Sequence, residues 1–372
     1  MKVVIAAAGT GGHINPGIAI ANKIMEKEPD SKIIFIGTDR GLENDLVPRA
    51  GYELKHIDAY GINRKINLDN IKRLYKTIKS VGQARKILEE FKPDVIFGTG
   101  GYICVSVGMA AKKLKIPIVL HESNAFPGVA IKLLSKKAKK VLVGFEDAKS
   151  RIPNAKEVIV TGTPSKITDK RITLKDADRI KKDLQISNNL PIVLVFGGSQ
   201  GARSINEALV GIIANKLNTN YQLVWAAGQG NYNDIKQELN TKKINIDNIS
   251  NTKILPYIYN MQEVMELSDL VVSRSGAMTI TEISTIGKPA IFIPFPFATE
   301  NHQEYNAKVL ENVGAAKIIL DKDLTYTKLD TLIKELISNK QKLAEMGNKA
   351  KTVAKRNVAD NIYLEIKKVI SK

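Results

Sequence analysis

The segment KVVIAAAGTGGHINPG, residues 2–17, decides the fold. A continuous apolar run leads into glycines at residues 9–12, and a helical pattern of apolar residues follows. Such runs are typical of parallel strands covered on both faces. Glycines between a strand and a helix permit a tight turn and direct backbone N–H groups outward. The segment therefore predicts a strand, an anion-binding turn and a helix that starts near Asn15, with Pro16 in its first turn.

Short apolar runs and helical patterns alternate along the rest of the chain, as repeated β–α–β units require. A polar, charged stretch from 165 to 190 interrupts the alternation, which then begins again with another strand and glycine turn. We therefore expect an α/β protein with two doubly wound, Rossmann-like domains, residues 1–163 and 164–351, that face a central cleft. Amphipathic segments from Tyr326 onward predict three helices, and the last, about 352–372, could pack back on the first domain.

Composition limits the function classes. The 372 residues are 44% hydrophobic and 25% charged, which is ordinary for a globular chain with full cores. Cys104 is the only cysteine, which excludes a disulfide framework and fits a reducing compartment. The apolar N-terminal run is too short to span a bilayer, so we expect a cytoplasmic protein. The net charge of +18 favours an anionic partner: nucleic acid, an acidic membrane or a phosphorylated substrate.

Three glycine-rich turns follow predicted strands, at residues 9–12, 98–101 and 197–202. Each opens a helix, so each could seat a phosphate on backbone amides, although glycines can also serve tight turns alone. The first turn is not a dinucleotide fingerprint, because the third glycine position is Ile14. The chain also lacks the glycine-lysine motif of ATP-hydrolysing phosphate loops.

The segment SRSGAMTITEISTIGKP, residues 273–289, predicts a fourth anion site at a helix start formed by Ala277, Met278 and Thr279. Glu282, one turn on, is placed to accept hydrogen bonds from a ribose diol. The alternative is that Glu282 complements the helix dipole and faces water. The segment PFPFATENHQEYNA, residues 294–307, then brings Gln303 to a helix start, where it could contact a sugar.

Six motifs together carry a resemblance that covers essentially the whole chain. They are GTGGH (9–13), HESNAFPG (121–128), VTGTP (160–164), GGSQGA (197–202), RSGAMTITE (274–282) and NHQEYNA (301–307). In order and spacing the chain resembles the MurG family of bacterial N-acetylglucosaminyltransferases. The resemblance implies the GT-B glycosyltransferase fold and inverting transfer of N-acetylglucosamine from UDP-N-acetylglucosamine to the C4 hydroxyl of undecaprenyl-diphospho-muramoylpentapeptide (lipid I), giving lipid II for peptidoglycan. It also implies peripheral attachment to the cytoplasmic face of the membrane. Cell-wall assembly proteins are possible further partners.

The resemblance also assigns residues. It implies a donor site made of Thr10, Gly11, Gly12, Asn124, Lys166, Ser199, Ile258, Ala277, Met278, Thr279, Glu282 and Gln303. Gly100, Gly101 and Tyr102 are expected to bind the acceptor. His13 is the candidate general base, because histidine suits proton transfer near neutral pH; the alternative is that it only orients its turn.

Two segments depart from the family pattern. The chain reads GTPSK where the family commonly has GNPVR, so Lys166 keeps the charge and loses the bidentate fork of arginine. It reads GGYICVSVG where GGYVSGPGG is usual, which bears on how the second glycine turn binds the acceptor. Neither a metal nor a cofactor is expected, since helix N-termini and loop amides can stabilise a leaving diphosphate.

A lipid acceptor requires contact with a membrane. The segment RKINLDNIKRLYKTIKS, residues 64–80, predicts a basic amphipathic helix of the kind that lies on anionic lipid. Residues 132–140 could extend the basic patch. The alternative is a core helix with a solvated basic face. The expected membrane contacts are Leu68, Ile71, Leu74, Tyr75 and Ile78.

Three other functions compete with this interpretation. Within the fold, a diacylglycerol glucosyltransferase would differ in its donor, and a nonhydrolysing sugar-nucleotide epimerase would work without an acceptor. The third is nucleic-acid binding driven by charge. Against it, aromatic residues make up 6% of the chain, the basic residues are scattered and no nucleic-acid motif is present.

Overall fold

The computed structural model describes the chain apart from residues 61–67, 166, 168–170, 187–188, 199–200, 247–248, 250 and 372. Of residues 68–75, 77 and 78 it describes the backbone alone. The chain forms two compact units. The N-terminal unit comprises Met1–Lys166 and Lys355–Lys372, and the C-terminal unit comprises Ile167–Ala354.

The N-terminal unit is built on a parallel sheet of seven strands within the described residues. They are β1 (Lys2–Ala6), β2 (Lys32–Gly37), β3 (Glu53–His56), β4 (Val95–Gly98), β5 (Ile118–Glu122), β6 (Lys140–Val143) and β7 (Val158–Val160). Their order is β3-β2-β1-β4-β5-β6-β7, so the chain reverses direction across the sheet between β1 and β4. In open α/β sheets, ligands bind beyond the carboxyl ends of the strands at such a switch point.

Strand β1 shows why the apolar run folds this way. Val4 and Ala6 belong to the apolar core on one face of the sheet, and Val3 and Ile5 belong to the core on the other face. All four are at most 1% exposed. Because successive side chains alternate between faces, a strand buried on both must be apolar throughout.

Seven helices of the described chain complete the N-terminal unit. They are α1 (Gly11–Lys27), α2 (Glu43–Arg49), α3 (Leu68–Phe91), α4 (Tyr102–Lys113), α5 (Val129–Ser135), α6 (Glu146–Lys149) and α15 (Val358–Ile370). The C-terminal helix α15 packs against α1, where Tyr363 Oη donates to Glu28 Oε1 at 2.8 Å. Ile362 and Ile366 enter the core shared with β1.

The C-terminal unit repeats the design with six described parallel strands in the order β10-β9-β8-β11-β12-β13. The strands are β8 (Ile192–Phe196), β9 (Gln222–Ala226), β10 (Thr252–Leu255), β11 (Leu270–Ser273), β12 (Ala290–Phe292) and β13 (Ala316–Ile318). The helices are α7 (Leu174–Asp183), α8 (Arg203–Ala214), α9 (Tyr232–Thr241), α10 (Met261–Leu267), α11 (Ala277–Ile286), α12 (His302–Asn312), α13 (Tyr326–Ile337) and α14 (Lys340–Val353). The predicted α/β class with two Rossmann-like parallel-sheet units is confirmed.

The predicted start of the first helix is wrong. Helix α1 begins at Gly11 and its N-cap is Thr10, whose backbone is extended (φ −115°, ψ 156°). The amides of His13 and Ile14 both donate to Thr10 O, at 3.0 and 3.2 Å. Pro16 therefore lies inside the helix and, having no N–H, leaves the carbonyl of Gly12 without its helical donor.

Strand β3 is not predicted by the sequence pattern. It is a short edge strand, ELKH, and its residues are exposed or half-buried. A strand that carries charged residues at alternate positions and buries little apolar surface gives no hydrophobic run to detect. The side chains of the expected membrane contacts Leu68, Ile71, Leu74, Tyr75 and Ile78 lie outside what the structure describes.

Candidate active site

The first glycine turn becomes the first turn of helix α1. Gly9 has φ +91°, which a residue with a side chain rarely adopts, and this lets β1 turn directly into the helix. Gly11, Gly12 and His13 then supply N-terminal helical amides, of which His13 N is bonded to Thr10 O. Thr10 and Gly12 are exposed. The predicted donor residues Thr10, Gly11 and Gly12 thus form an accessible helix start with the polarity to attract an anion.

The imidazole of His13 lies on the second glycine turn. A β-carbon on Gly100 would stand 3.1 Å from His13 Cδ2 and 3.2 Å from Nε2, and one on Gly101 would stand 3.4 Å from Nδ1. The ring therefore packs against two glycines whose lack of side chains makes room for it. The structure brings together His13, the candidate base, and Gly100 and Gly101, the candidate acceptor residues.

A buried thiol is hydrogen-bonded to the second glycine turn. Gly100 and Gly101 have φ +103° and +75°, and Gly101 is the N-cap of α4. Cys104 Sγ donates to Gly100 O at 3.0 Å and contacts Ala6 O at 3.2 Å. Burial raises the pKa of this thiol to about 12, so it is an inert packing group. Tyr102, the third predicted acceptor residue, is half-buried against the N-terminal core.

The loop after β5 is organised by a buried carboxylate. Glu122 is 4% exposed, and its Oε1 accepts from the backbone and side-chain nitrogens of Asn124 at 2.9 and 3.0 Å. Its Oε2 accepts from Gly128 N at 2.8 Å. Burial raises the pKa of Glu122, against the opposing effect of these hydrogen bonds. The side chain of Asn124, a predicted sugar contact, is thereby held in one orientation.

His121, the residue before Glu122 on β5, is structural. It is fully buried, and its Nε2 bonds Gly162 O at 3.0 Å, joining β5 to the end of β7. Burial lowers its pKa to about 4, so the imidazole is neutral at physiological pH and Nε2–H donates. Two histidines of the family motifs therefore differ in environment: His13 is half-buried beside the glycine turns, and His121 is sealed in the core.

In the C-terminal unit, the glycine turn after β8 is fixed by close backbone packing. Gly201 has φ +76°, and a β-carbon there would overlap Ala227 O. Asn206 of α8 accepts from Trp225 Nε1 at 3.1 Å and donates to Ala227 O at 3.0 Å. Ser199 of this turn and Lys166 fall outside the described residues.

The predicted donor residues Ala277, Met278 and Thr279 form the first turn of α11, with Gly276 as the N-cap. Ser275 ties this turn to α12, since its Oγ donates to Gln303 O at 2.7 Å and its carbonyl accepts from Asn306 Nδ2 at 3.1 Å. Gln303 is thus brought beside the start of α11. Glu282 lies one turn further along α11 and is half-buried.

The side chain of Gln303 already makes one bond within the unit. Its Oε1 accepts from Phe295 N at 3.0 Å. This fixes the amide, so that Nε2 is the end directed away from Phe295. Glu300 and Asn301, just before α12, have φ +55° and +52°, and such left-handed residues mark a loop held by its surroundings.

Ile258, the predicted uracil contact, is 3% exposed, while its neighbours Tyr257 and Tyr259 are 40% and 87% exposed. The two tyrosine rings pack edge to face with centroids 4.9 Å apart. The side chain of Ile258 is therefore buried, and the two tyrosine rings are the exposed groups beside it.

Arg274 lies inside the motif RSGAMTITE but is not among the residues predicted from the sequence. Its guanidinium donates to Asp321 Oδ1, to Ser204 Oγ at 3.0 Å and to the carbonyls of Ile293 and Pro294 at 3.0 and 3.1 Å. The side chain is 11% exposed. Arg274 therefore joins the ends of β11 and β12 to α8, and its partners lie too far along the chain to be inferred from the motif.

The described residues offer neither a metal cluster nor a membrane-spanning helix. No three His, Cys, Asp or Glu side chains among them lie close enough together to hold a metal ion. No helix in that part of the chain combines the length and apolar character needed to cross a bilayer.

Comparison with protein families gives one matching domain for each unit, and comparison with curated relatives gives matches over nearly the whole chain. The glycosyltransferase family 28 N-terminal domain matches residues 3–143, and its C-terminal domain matches residues 192–362. The UDP-N-acetylglucosamine--N-acetylmuramyl-(pentapeptide) pyrophosphoryl-undecaprenol N-acetylglucosamine transferase of Clostridioides difficile (strain 630) is 43% identical over 99% of this chain and 89% of its own. The protein of the same name from Thermoanaerobacter sp. (strain X514) is 42% identical over 99% of this chain and 100% of its own.

Solved structures give the same picture. Acinetobacter baumannii MurG is 30% identical, with a TM-score of 0.78 over 99% of both chains. CalG4, the calicheamicin glycosyltransferase, has a TM-score of 0.69 at 13% identity over 100% of this chain and 98% of its own, which shows a shared fold alone.

Proposed function

The chain belongs to glycosyltransferase family 28, and we propose that it transfers N-acetylglucosamine from UDP-N-acetylglucosamine to the C4 hydroxyl of lipid I, giving lipid II and UDP. The observation that carries the proposal is the match, over 99% of the chain, to relatives that bear the name of this one activity. Peptidoglycan synthesis is therefore the pathway to which the enzyme belongs.

The C-terminal unit is the donor domain in this proposal. The amides of Ala277, Met278 and Thr279 at the start of α11 bind the diphosphate, because a helix N-terminus stabilises negative charge. Glu282 accepts hydrogen bonds from the ribose, Ile258 meets the uracil through its backbone, and Gln303 binds a sugar hydroxyl. The bond from Ser275 Oγ to Gln303 O supports this arrangement, since it ties Gln303 to the residue just before the first turn of α11. By motif, Ser199 and Lys166 add phosphate contacts.

The N-terminal unit binds the acceptor and supplies the base. The C4 oxygen of the acceptor attacks C1 of N-acetylglucosamine, the C1–O bond to UDP breaks, and UDP leaves with the electron pair. The imidazole of His13 takes the proton of the attacking hydroxyl, a role worth about 10²–10⁴ in rate. The contact of His13 with Gly100 and Gly101 supports the role, because the imidazole lies against the turn that we predict to bind the acceptor. Thr10, Gly11, Gly12 and Asn124 complete the sugar and diphosphate contacts.

Attachment to the cytoplasmic face of the membrane follows from the lipid acceptor. Helix α5 supports it with Val129 and Leu133, which are 61% and 52% exposed and lie four residues apart on one helix face. Lys136 and Lys139 are exposed just beyond the helix. Apolar side chains flanked by lysines are typical of surfaces that bind anionic lipid.

The proposal is tested by incubating the purified full-length protein with UDP-N-acetylglucosamine and a lipid I analogue. We expect a disaccharide product with the wild type and a rate at least 100-fold lower with His13→Ala. His56→Ala is the matched control, because His56 is exposed on β3 of the same unit, and it should keep wild-type activity. Absence of product with the wild type would disprove the transferase assignment. Equal rates for wild type and His13→Ala would disprove only the role of His13 as the base and would leave the transferase assignment standing.

A further inference from the structure

The side chain of Glu43, at the start of α2, is a buried carboxylate that the sequence motifs do not include. The residue is 0% exposed. Its Oε2 accepts from Gly9 N at 2.8 Å, and its Oε1 accepts from Thr38 N at 2.9 Å and from Thr38 Oγ1 at 2.7 Å. All three of these donors are uncharged, so hydrogen bonds and not an ion pair compensate its burial.

Two glycines make room for this carboxylate. A β-carbon on Gly41 would overlap the carboxylate and stand 2.7 Å from Cδ, and one on Gly37 would stand 2.8 Å from Cγ. Burial disfavours ionisation of Glu43, but the hydrogen bonds from Gly9 and Thr38 outweigh it and lower the pKa. The group is therefore a carboxylate at neutral pH, with both oxygens available as acceptors.

The bond to Gly9 acts on the first turn of the candidate active site. Gly9 is the positive-φ residue that precedes the N-cap Thr10, and His13 follows four residues after Gly9. On the other side of the Gly9 residue, its carbonyl accepts from Leu42 N at 3.4 Å. Both the N–H and the C=O of Gly9 are therefore bonded to residues of the segment from Gly37 to Glu43, the N–H to Glu43 and the C=O to Leu42. Glu43 lies 34 residues further along the chain than Gly9.

We propose that Glu43 is a positioning residue for the transfer reaction: its carboxylate fixes the Gly9 turn and thereby sets His13 against the acceptor turn at Gly100 and Gly101. The inference rests on the proposed function, since it assigns His13 to the acceptor. Glu43 touches neither substrate nor reacting atoms in this role. It acts by fixing the backbone that carries His13. This matters because a small misplacement of a catalytic group can cost about 100-fold in rate.

Glu43→Gln tests the proposal. An amide keeps the shape but presents one oxygen and one NH₂, so it cannot accept from both Gly9 and Thr38. We expect kcat to fall 10- to 100-fold and the KM for a lipid I analogue to rise, while the Kd for UDP, measured by calorimetry, stays within twofold. Hydrogen exchange should accelerate at the Gly9 amide and remain slow in β1 and β2.

Two more variants separate positioning from stability. Thr38→Val removes one donor to the same carboxylate and leaves the Gly9 bond, so its activity should stay within threefold of wild type. Glu43→Asp keeps the charge on a shorter arm and should recover part of the lost kcat. If Glu43→Gln and Thr38→Val lose activity equally, or if Glu43→Gln keeps wild-type kcat, the proposal is overturned.

Two remaining outcomes are also decisive. If fast hydrogen exchange in β1 and β2 shows that Glu43→Gln does not fold, Glu43→Asp is used as the test in its place. If Glu43→Asp is folded and its Gly9 amide exchanges fast, a wild-type kcat overturns the proposal. If the wild type makes no product, the proposed function fails. The exchange rate at Gly9 still reports whether Glu43 holds the turn, so the two failures are distinguishable.

Discussion

The ring of His13 lies against the backbone of Gly100, with Nε2 3.2 Å from the place where a β-carbon on that glycine would stand. The two residues are 87 positions apart and belong to turns that follow neighbouring strands, β1 and β4. Because φ at Gly100 is +103°, a side chain is excluded there both by the backbone conformation and by the imidazole.

Gly100→Ala is therefore expected to displace His13. We predict a fall in kcat of at least tenfold and a loss of about 1–3 kcal/mol in the free energy of unfolding. Gly51→Ala is the control for backbone strain, because Gly51 also has positive φ (+84°) but a β-carbon there would meet no described atom within 4 Å. Its stability should fall by about 1 kcal/mol with kcat unchanged. Equal kcat for the two variants would contradict a role for the His13–Gly100 contact.

Cys104 should be unreactive in the native protein. Its pKa of about 12 leaves very little thiolate at pH 8, and it is 2% exposed. We predict that iodoacetamide labels the native chain at least 100-fold more slowly than the chain in urea, as measured by mass spectrometry. Rapid labelling of the native chain would show that the turn at Gly100 opens readily.

The sequence predicted those features that depend on local patterns. The strands other than β3 could be located because runs such as Val193–Val195 are apolar on both faces. Helix α11 could be located from its glycine N-cap and its periodicity. The helix start at Gly11 was missed because Asn15 and Pro16 form a strong local start signal, whereas the true N-cap is set by the positive φ of Gly9.

Features that depend on long-range contacts could not be predicted. Glu43 stands in a charged stretch, DRGLEND, that resembles a solvated loop, and its burial depends on Gly9, which is 34 residues away. Arg274 stands just before the start of α11, but its partners Asp321 and Ser204 are 47 and 70 residues away. A pattern read along the chain cannot show that such groups satisfy one another.

The free energy of unfolding of the N-terminal unit should decrease as the pH is lowered, because of His121. Its pKa is about 4 in the folded chain and near 6.5 when unfolded, so below pH 6.5 the unfolded state takes up a proton that the folded state does not. The contribution of neutral His121 to the free energy of unfolding is fully present above pH 6.5. It falls as the pH drops and is lost by pH 4, a total loss of about 3 kcal/mol. His121→Gln can still donate to Gly162 O and does not titrate. Relative to wild type, it should therefore gain stability over this range, measured by hydrogen exchange in β5 at different urea concentrations, and a constant difference between the two proteins would refute the prediction.

Gln303→Glu should separate recognition of the sugar from recognition of UDP. The carboxylate can still accept from Phe295 N, but it lacks the Nε2–H that we assign to a sugar hydroxyl. We predict a rise of about tenfold in the KM for UDP-N-acetylglucosamine, since a lost hydrogen bond of this kind costs roughly 1.4 kcal/mol. The Kd for UDP should change less than threefold. The exposed Gln341→Glu on α14 is the control, and an equal loss of affinity for UDP and for UDP-N-acetylglucosamine would argue against a sugar contact.

The membrane surface proposed on α5 can be tested with vesicles. In the double variant Val129→Ser and Leu133→Ser, two exposed apolar side chains that we place in the lipid are removed, and each contributes about 1–2 kcal/mol when buried. We predict at least a tenfold loss of affinity for vesicles that contain anionic lipid, measured by co-sedimentation, and weaker binding of the wild type at higher salt, because ions screen the lysines. Leu364→Ser on α15 is the matched control, since Leu364 is 51% exposed on the same unit. An equal loss with Leu364→Ser, or equal binding of the wild type to neutral vesicles, would rule out α5 as the anionic-lipid contact.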